Sequence, residues 1–297
     1  MLSAARAAGL SSRVIFAGAI VLAGMAILYR DVVPELIHAW STDDNYSHGY
    51  LIPPIAAYLA WERRQLFLSA PIHPSAFGLI VILGSVLVLA LGVLGIELFL
   101  TRISLLGVFG GTLLFLFGWP RLRVMLFPLA FLILMIPLPA IIFNQIAFPL
   151  QLIASQFGEE VIRAASIPVL REGNVLVLAN ITLEVAEACS GIRSLISLLT
   201  LGIVFGYIGD ARTWVRVLIA VSTVPVAVIS NGARVAGTGI AAHYYGSAAA
   251  EGFLHEFSGW LVFVTAFAMM VLLYRVLRFI APDRKDSADS SVAVSAA

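Results

Sequence analysis

Apolar residues run almost unbroken along most of this chain, and the polar residues gather in a few blocks between the runs. A helix needs roughly 20 mostly apolar residues to cross a bilayer. Eight runs predict spans: Val14–Tyr29, His48–Trp61, Ala76–Ile96, Ile103–Trp119, Val124–Phe143, Ile192–Ile208, Trp214–Ser230 and Gly259–Ile280. The second is short and carries Pro53-Pro54. The first follows Arg6 and Arg13 as a signal peptide would, yet no small-residue cleavage site precedes Arg30, so it reads as a retained helix. The predicted fold is all-α, a polytopic membrane bundle of about eight transmembrane helices.

Three polar blocks separate the runs: Asp31–Ser47, Asn144–Gly191 and Asn231–Ser258. Within the second, Ile146–Ala165 predicts a helix lying along the interface, with Phe, Leu and Ile toward lipid and Glu159, Glu160 and Arg163 toward water. Asn174–Leu178 and Ile181–Val185, broken at Ala179-Asn180, predict a short external β-hairpin that leads toward Cys189. Pro282–Ala297 is small, polar and charged, and reads as a disordered cytoplasmic tail behind a single transmembrane domain over 1–281.

Composition agrees with that class: 61% hydrophobic residues, 12% charged residues and a mean hydropathy of +1.00. Charge then orients the bundle, because short cytoplasmic loops retain Lys and Arg. With the N-terminus inside and eight spans, Arg6, Arg13, Arg63, Arg64, Arg121, Arg123, Arg212, Arg216, Arg275, Arg278, Arg284 and Lys285 fall on the cytoplasmic side. Most acidic residues, among them Asp31, Glu35, Asp43, Asp44, Glu97, Glu184, Glu187 and Glu256, fall opposite, which places the three polar blocks outside. The net charge of +1 and this spread of arginines give no basis for nucleic-acid binding.

Cys189 is the chain's one cysteine and stands where the second polar block meets the sixth run. One thiol closes no internal disulfide and builds no multi-thiolate metal site. It is either a packing residue or a nucleophile. Arg234 follows the seventh run and His255 precedes the eighth, so all three fall at one membrane level on helices joined by short connections. A helix N-terminus lowers a thiol pKa from about 8.5, with Ser190 and Gly191 allowing a tight turn. An imidazole can accept the thiol proton, and a guanidinium can stabilise the thiolate or an oxyanion. Each residue also has a plain structural role open to it: filler thiol, snorkelling arginine, helix-capping histidine.

Glu187-Ala188-Cys189-Ser190-Gly191-Ile192-Arg193, Asn231-Gly232-Ala233-Arg234 and His255-Glu256-Phe257-Ser258-Gly259 resemble the three signature blocks of the exosortases, bacterial multi-span sorting enzymes. The early block Asp43–Pro53 fits the same resemblance, which covers nearly the whole chain. It implies a membrane-embedded cysteine protease or transpeptidase that acts on exported proteins. Their C-terminal signal combines a Pro-Glu-Pro motif, a transmembrane helix and a basic cluster (PEP-CTERM). Cleavage is implied at the periplasmic face of the bacterial inner membrane, in connection with exopolysaccharide and envelope biogenesis. By position it implies Cys189, Arg234 and His255 as the catalytic residues. Ser190 and Asn231 lie inside the same blocks as supporting residues.

Asp43, Ser47 and His48 form a second candidate cluster, either binding the sorting motif or capping and anchoring the second span. His48 rivals His255 as general base. His243 suits a polar helix end, and Glu184, Glu187 and Glu256 suit pairing with Arg193 or Arg234. No metal or cofactor is expected, since the histidines lack ligand spacing, and Gly107–Gly111 sits inside an apolar helix as a close-packing feature. The rival reading is a transporter or a non-catalytic assembly factor for envelope polysaccharide.

Overall fold

The computed structural model describes residues 12–179, 181–185, 192–210, 212–246 and 253–281, with the side chains of 12–15, 17, 22 and 253–258 outside that description. The tail expected over 282–297 therefore lies outside it. The chain divides into two compact units, Met1–Ala140 and Ile141–Ala297.

In the first unit, α1 (Ser12–Leu28) and α2 (Val32–Thr42) lead into a 3-10 turn (Asp44–Tyr50), α3 (Ile52–Glu62) and the short α4 (Arg64–Ser69). The hairpin of α5 (Phe77–Leu94) and α6 (Leu98–Phe117) follows, then α7 (Trp119–Phe131) and a 3-10 turn (Leu132–Met135). Small residues let the hairpin close. A β-carbon on Gly78 would meet the Phe115 backbone at 2.3 Å, and one on Gly107 would meet Ser85 Oγ at 2.2 Å. Glu97 starts α6 by accepting from the Leu100 N–H at 2.7 Å. Met25, Tyr29, Val32, Leu89, Leu105 and Val108 form the core between α1, α2, α5 and α6.

The second unit opens with α8 (Ala140–Ala164) and a three-stranded antiparallel sheet, β1 (Val169–Glu172), β2 (Val175–Leu178) and β3 (Thr182–Glu184). The expected hairpin is β2–β3; β1 is additional, joined through Gly173-Asn174 with Gly173 at φ +66. A two-residue turn with glycine first matches the twist of the strands. Leu176 and Leu178 alternate inward onto Ala154, Ile162, Ile167, Val185 and Val235. Ser155 donates to the Gly173 carbonyl at 2.9 Å, and Glu159 pairs with Arg171 at 3.0 Å, so sheet and α8 are tied together.

Three long helices complete the unit: α9 (Ile192–Gly209), α10 (Thr213–Tyr245) and α11 (Phe253–Ile280). Val215, Ile219, Met270, Leu198, Ala227 and Ala266 fill the space between them. At the basic end Asp210 pairs with Arg212 at 2.7 Å, Arg212 donates to the Ala281 carbonyl, and Tyr274 donates to the Gly209 carbonyl.

Six helices among the described residues are long and apolar enough to span a membrane: Phe77–Leu94, Leu98–Phe117, Ala140–Ala164, Ile192–Gly209, Thr213–Tyr245 and Gly259–Ile280. These six do not confirm the expected count of about eight. Pro53-Pro54 opens α3 at Ile52, and the helix ends after eleven residues, too few to cross. The run Val124–Phe143 is interrupted because Pro137 and Pro139 disfavour helix at the residues before them. The apolar helix instead starts at Ala140, so the segment expected to lie along the interface belongs to a helix of spanning length. The described part of α1, seventeen residues from Ser12, covers about 26 Å, and the chain before it lies outside the described residues.

Candidate active site

Cys189 and Ser190 lie outside the described residues, but the chain on both sides of them is anchored. Val185 ends the sheet 2% exposed, and Ile192 opens α9 1% exposed. Asn174 grips Val185 from both directions: its carbonyl accepts from the Val185 N–H at 2.9 Å, and its side-chain Nδ2 donates to the Val185 carbonyl at 3.2 Å. The sequence signal for this clamp is the asparagine following glycine between two strand patterns, where strand propensity alone predicts only the start of a strand.

The register of α9 against α10 sets the level of the α9 N-terminus. Gly206 faces Ile219, Gly202 faces Thr223, and Leu198 clusters with Ala227. Each step of four down α9 is a step of four up α10, as antiparallel helices require. Continued by one more step of four, the same spacing would bring Ser194 level with Asn231. Asn231 is 1% exposed, and beside it Gly232 receives the Phe157 ring of α8, where a β-carbon would fall 2.7 Å from Cδ1. A neighbouring contact repeats the pattern, since a β-carbon on Gly158 would fall 2.7 Å from Val235 Cγ1.

Arg234 sits mid-helix, not beyond a helix end as the apolar run to Ser230 implied, because α10 continues to Tyr245. Its position is still near a membrane surface. Eighteen residues separate it from Arg216, or about 27 Å of helix, close to the hydrocarbon thickness. The half-buried guanidinium reaches α11, where Nη1 is 3.6 Å from the position of a β-carbon on Gly259. Position 255 lies one turn before Gly259 on the same face of α11. His243 occupies the last turn of α10, edge-on to Tyr244.

Asp43, Ser47 and His48 belong to the first unit, where each has a local structural task. Asp43 caps the 3-10 turn by accepting from the Asn45 N–H at 2.9 Å, and exposed Ser47 donates to the Asp44 carbonyl at 3.1 Å. His48 is buried, and its Nε2–H donates to the Leu134 carbonyl at 3.2 Å. Trp40 Nε1 donates to the Met135 carbonyl at 2.8 Å, and the Tyr46 hydroxyl accepts from the Leu138 N–H at 2.9 Å. The broken stretch 132–139 leaves backbone groups without helical partners, and these three side chains satisfy them. Burial lowers the His48 pKa below its ordinary 6.5, against carbonyls at Leu134 and Asn45 that favour the charged ring.

Of the three signature blocks, the described residues bring two together, Arg234 of the second lying against Gly259 of the third, on the part of α10 and α11 away from Arg212. No curated protein and no solved structure matches the chain. The family model described as "Transmembrane exosortase" matches residues 40–272, more than half of its length. The chain belongs to the transmembrane exosortase family.

Proposed function

We propose that the chain is a cysteine protease or transpeptidase that cleaves C-terminal PEP-CTERM sorting signals of exported proteins at the periplasmic face of the bacterial inner membrane. Cys189 is the nucleophile, His255 the proton carrier and Arg234 the anion-stabilising group. The observation that carries the reading is the Arg234 guanidinium resting over Gly259, one turn from position 255 and at the level of the α9 N-terminus. Cys189 is three residues from Ile192, so chain length alone keeps their α-carbons within about 11 Å. Arg212, Arg216, Arg275 and Arg278 at the opposite ends of these helices support the periplasmic orientation, because cytoplasmic ends retain basic residues.

The substrate helix lies against the bundle and presents its membrane-edge peptide bond to the thiolate. The sulfur adds to the carbonyl carbon, and the resulting oxyanion is held by Arg234 and free backbone N–H groups. The tetrahedral intermediate collapses with cleavage of the C–N bond, and His255 gives its proton to the departing amine. The thioester is then opened by water, or by an amine if the product is transferred. Envelope and exopolysaccharide biogenesis is the setting in which such sorted proteins are used.

Co-expression with a PEP-CTERM substrate tests this directly. Cys189→Ala and Arg234→Ala should abolish processing at normal protein level and membrane insertion, and His255→Ala should reduce it severely. Mass spectrometry of the new substrate C-terminus distinguishes a free carboxylate from an amide. Normal cleavage by Cys189→Ala would end the nucleophile assignment.

A further inference from the structure

The first unit contains an apolar groove of about 720 Å³ that the proposed reaction does not use. Leu36, Trp40, Ala57, Phe109, Leu113 and Met125 are among its lining residues. Phe109 and Leu113 belong to the candidate span Leu98–Phe117, which sets the groove at bilayer depth. Its rim residues Val33, Ile37 and Tyr50 are 39%, 43% and 47% exposed, so it opens sideways to the surroundings of the helices. A volume of this size lies within the ~300–1,000 Å³ usual for small-ligand sites.

Two arginine-bearing stretches continue from lining residues of the groove. Ala60 leads into Trp61-Glu62-Arg63-Arg64, and Met125 follows Arg121-Leu122-Arg123-Val124. Arg63 donates to the Val124 carbonyl at 2.9 Å, which sets the two stretches side by side. Arg121 lies 5.0 Å over the Phe67 ring, itself a lining residue, and donates to the Ala70 and Leu68 carbonyls. Those two arginines serve the fold. Arg64 and Arg123 are exposed, and their guanidiniums stand 4.3 Å and 5.9 Å from the exposed rings of Trp61 and Trp119. Arg64 gives one N–H to the Trp61 carbonyl, and Glu62 is the only acidic residue in the two stretches. Arginine beside tryptophan is the composition of a membrane interface, where the headgroups lie.

We propose that this groove binds an anionic phospholipid, one acyl chain lying along Phe109, Leu113 and Ala57 and the headgroup phosphate held by Arg64 and Arg123. The groove supplies the apolar contact and the arginines supply the selection, because a guanidinium recognises phosphate oxygens through paired N–H donors. Net negative charge on the lipid is what separates it from a zwitterionic neighbour carrying the same chains. The proposal is independent of the peptidase reading, as none of these residues takes part in it.

Native mass spectrometry of the full chain, purified in mild detergent and exposed to equimolar phosphatidylglycerol and phosphatidylcholine, tests the site. Retained phosphatidylglycerol should exceed phosphatidylcholine by about tenfold. R64Q/R123Q should lose most of that preference with unchanged circular dichroism, since both residues are on the surface. Ala57→Phe should lower retention of both lipids. Equal retention by the unmodified chain overturns the proposal, as does a preference that survives in R64Q/R123Q. Unchanged lipid retention in Ala57→Phe, with binding of an apolar helical peptide lost instead, would assign the groove to a protein segment and also overturn it.

Discussion

Arg234 of α10 lies over Gly259 of α11, with Nη1 3.6 Å from where a β-carbon on that glycine would stand. The absence of a side chain at 259 lets α11 approach the guanidinium this closely. A methyl group at 259 would make an ordinary van der Waals contact, whereas a longer side chain would have to displace the guanidinium. Gly259→Ala should keep processing within about twofold and raise the thermal midpoint, because glycine inside a helix costs about 1 kcal/mol relative to alanine. Gly259→Leu should lower processing by roughly 10- to 100-fold at normal protein level, the penalty expected for a catalytic group moved by an ångström. Substrate processing by immunoblot, with thermal unfolding of both variants, checks the pair. Equal activity in Gly259→Leu would remove Arg234 from the reaction.

Asn174 and Val185 exchange two hydrogen bonds just ahead of the segment that contains Cys189. Only one of these uses a side chain. Asn174→Ala deletes the bond to the Val185 carbonyl and should cost about 1 kcal/mol of stability. If the clamp also aims the following segment, processing should fall more than that loss of stability explains. A thermal shift alone, with processing unchanged, would confine Asn174 to a structural task.

Sequence pattern alone suffices where hydropathy and turn chemistry act locally. Five spans and the β2–β3 hairpin follow from run length and from the break at Ala179-Asn180. It fails where proline and tertiary packing override composition. The run Val124–Phe143 is apolar throughout, yet Pro137 and Pro139 end it, and the spanning helix begins afterwards at Ala140. Arg234 was legible as a polar residue near a membrane surface but not as a mid-helix one, because nothing in the run to Ser230 announces that α10 continues for fifteen residues. His48 was legible as a candidate base, while its bond to the Leu134 carbonyl spans a sequence separation of 86. That is beyond any local signal.

Gly232 and Phe157 form a close contact between α10 and α8 beside Asn231, since a β-carbon on the glycine would fall 2.7 Å from the ring. Gly232→Val should destabilise the protein by about 1–3 kcal/mol through overpacking. Adding Phe157→Ala should recover part of that loss, giving a coupling of at least about 0.5 kcal/mol in a double-mutant cycle. Denaturant or thermal unfolding in detergent measures all four corners. Additive losses would mean that the glycine matters for some reason other than the ring.

His48 and Leu134 tie the Asp44–Tyr50 turn to the broken stretch after α7, and burial holds the imidazole neutral. Its folded-state pKa is lowered from 6.5, so between the two values the unfolded chain takes up a proton that the folded chain does not. The stability from a neutral, buried His48 is fully present above about pH 6.5 and is lost as pH falls through the lower folded-state value. The thermal midpoint of the unmodified protein should therefore drop on acidification through that window. His48→Gln can keep an N–H donor for the Leu134 carbonyl while removing the titration, so its midpoint should fall less over the same range. Because His48 holds backbone rather than moving a proton in this reading, His48→Gln should also retain most processing at pH 7.5. A loss of processing as deep as that of His255→Ala, without a comparable loss of stability, would make His48 the base.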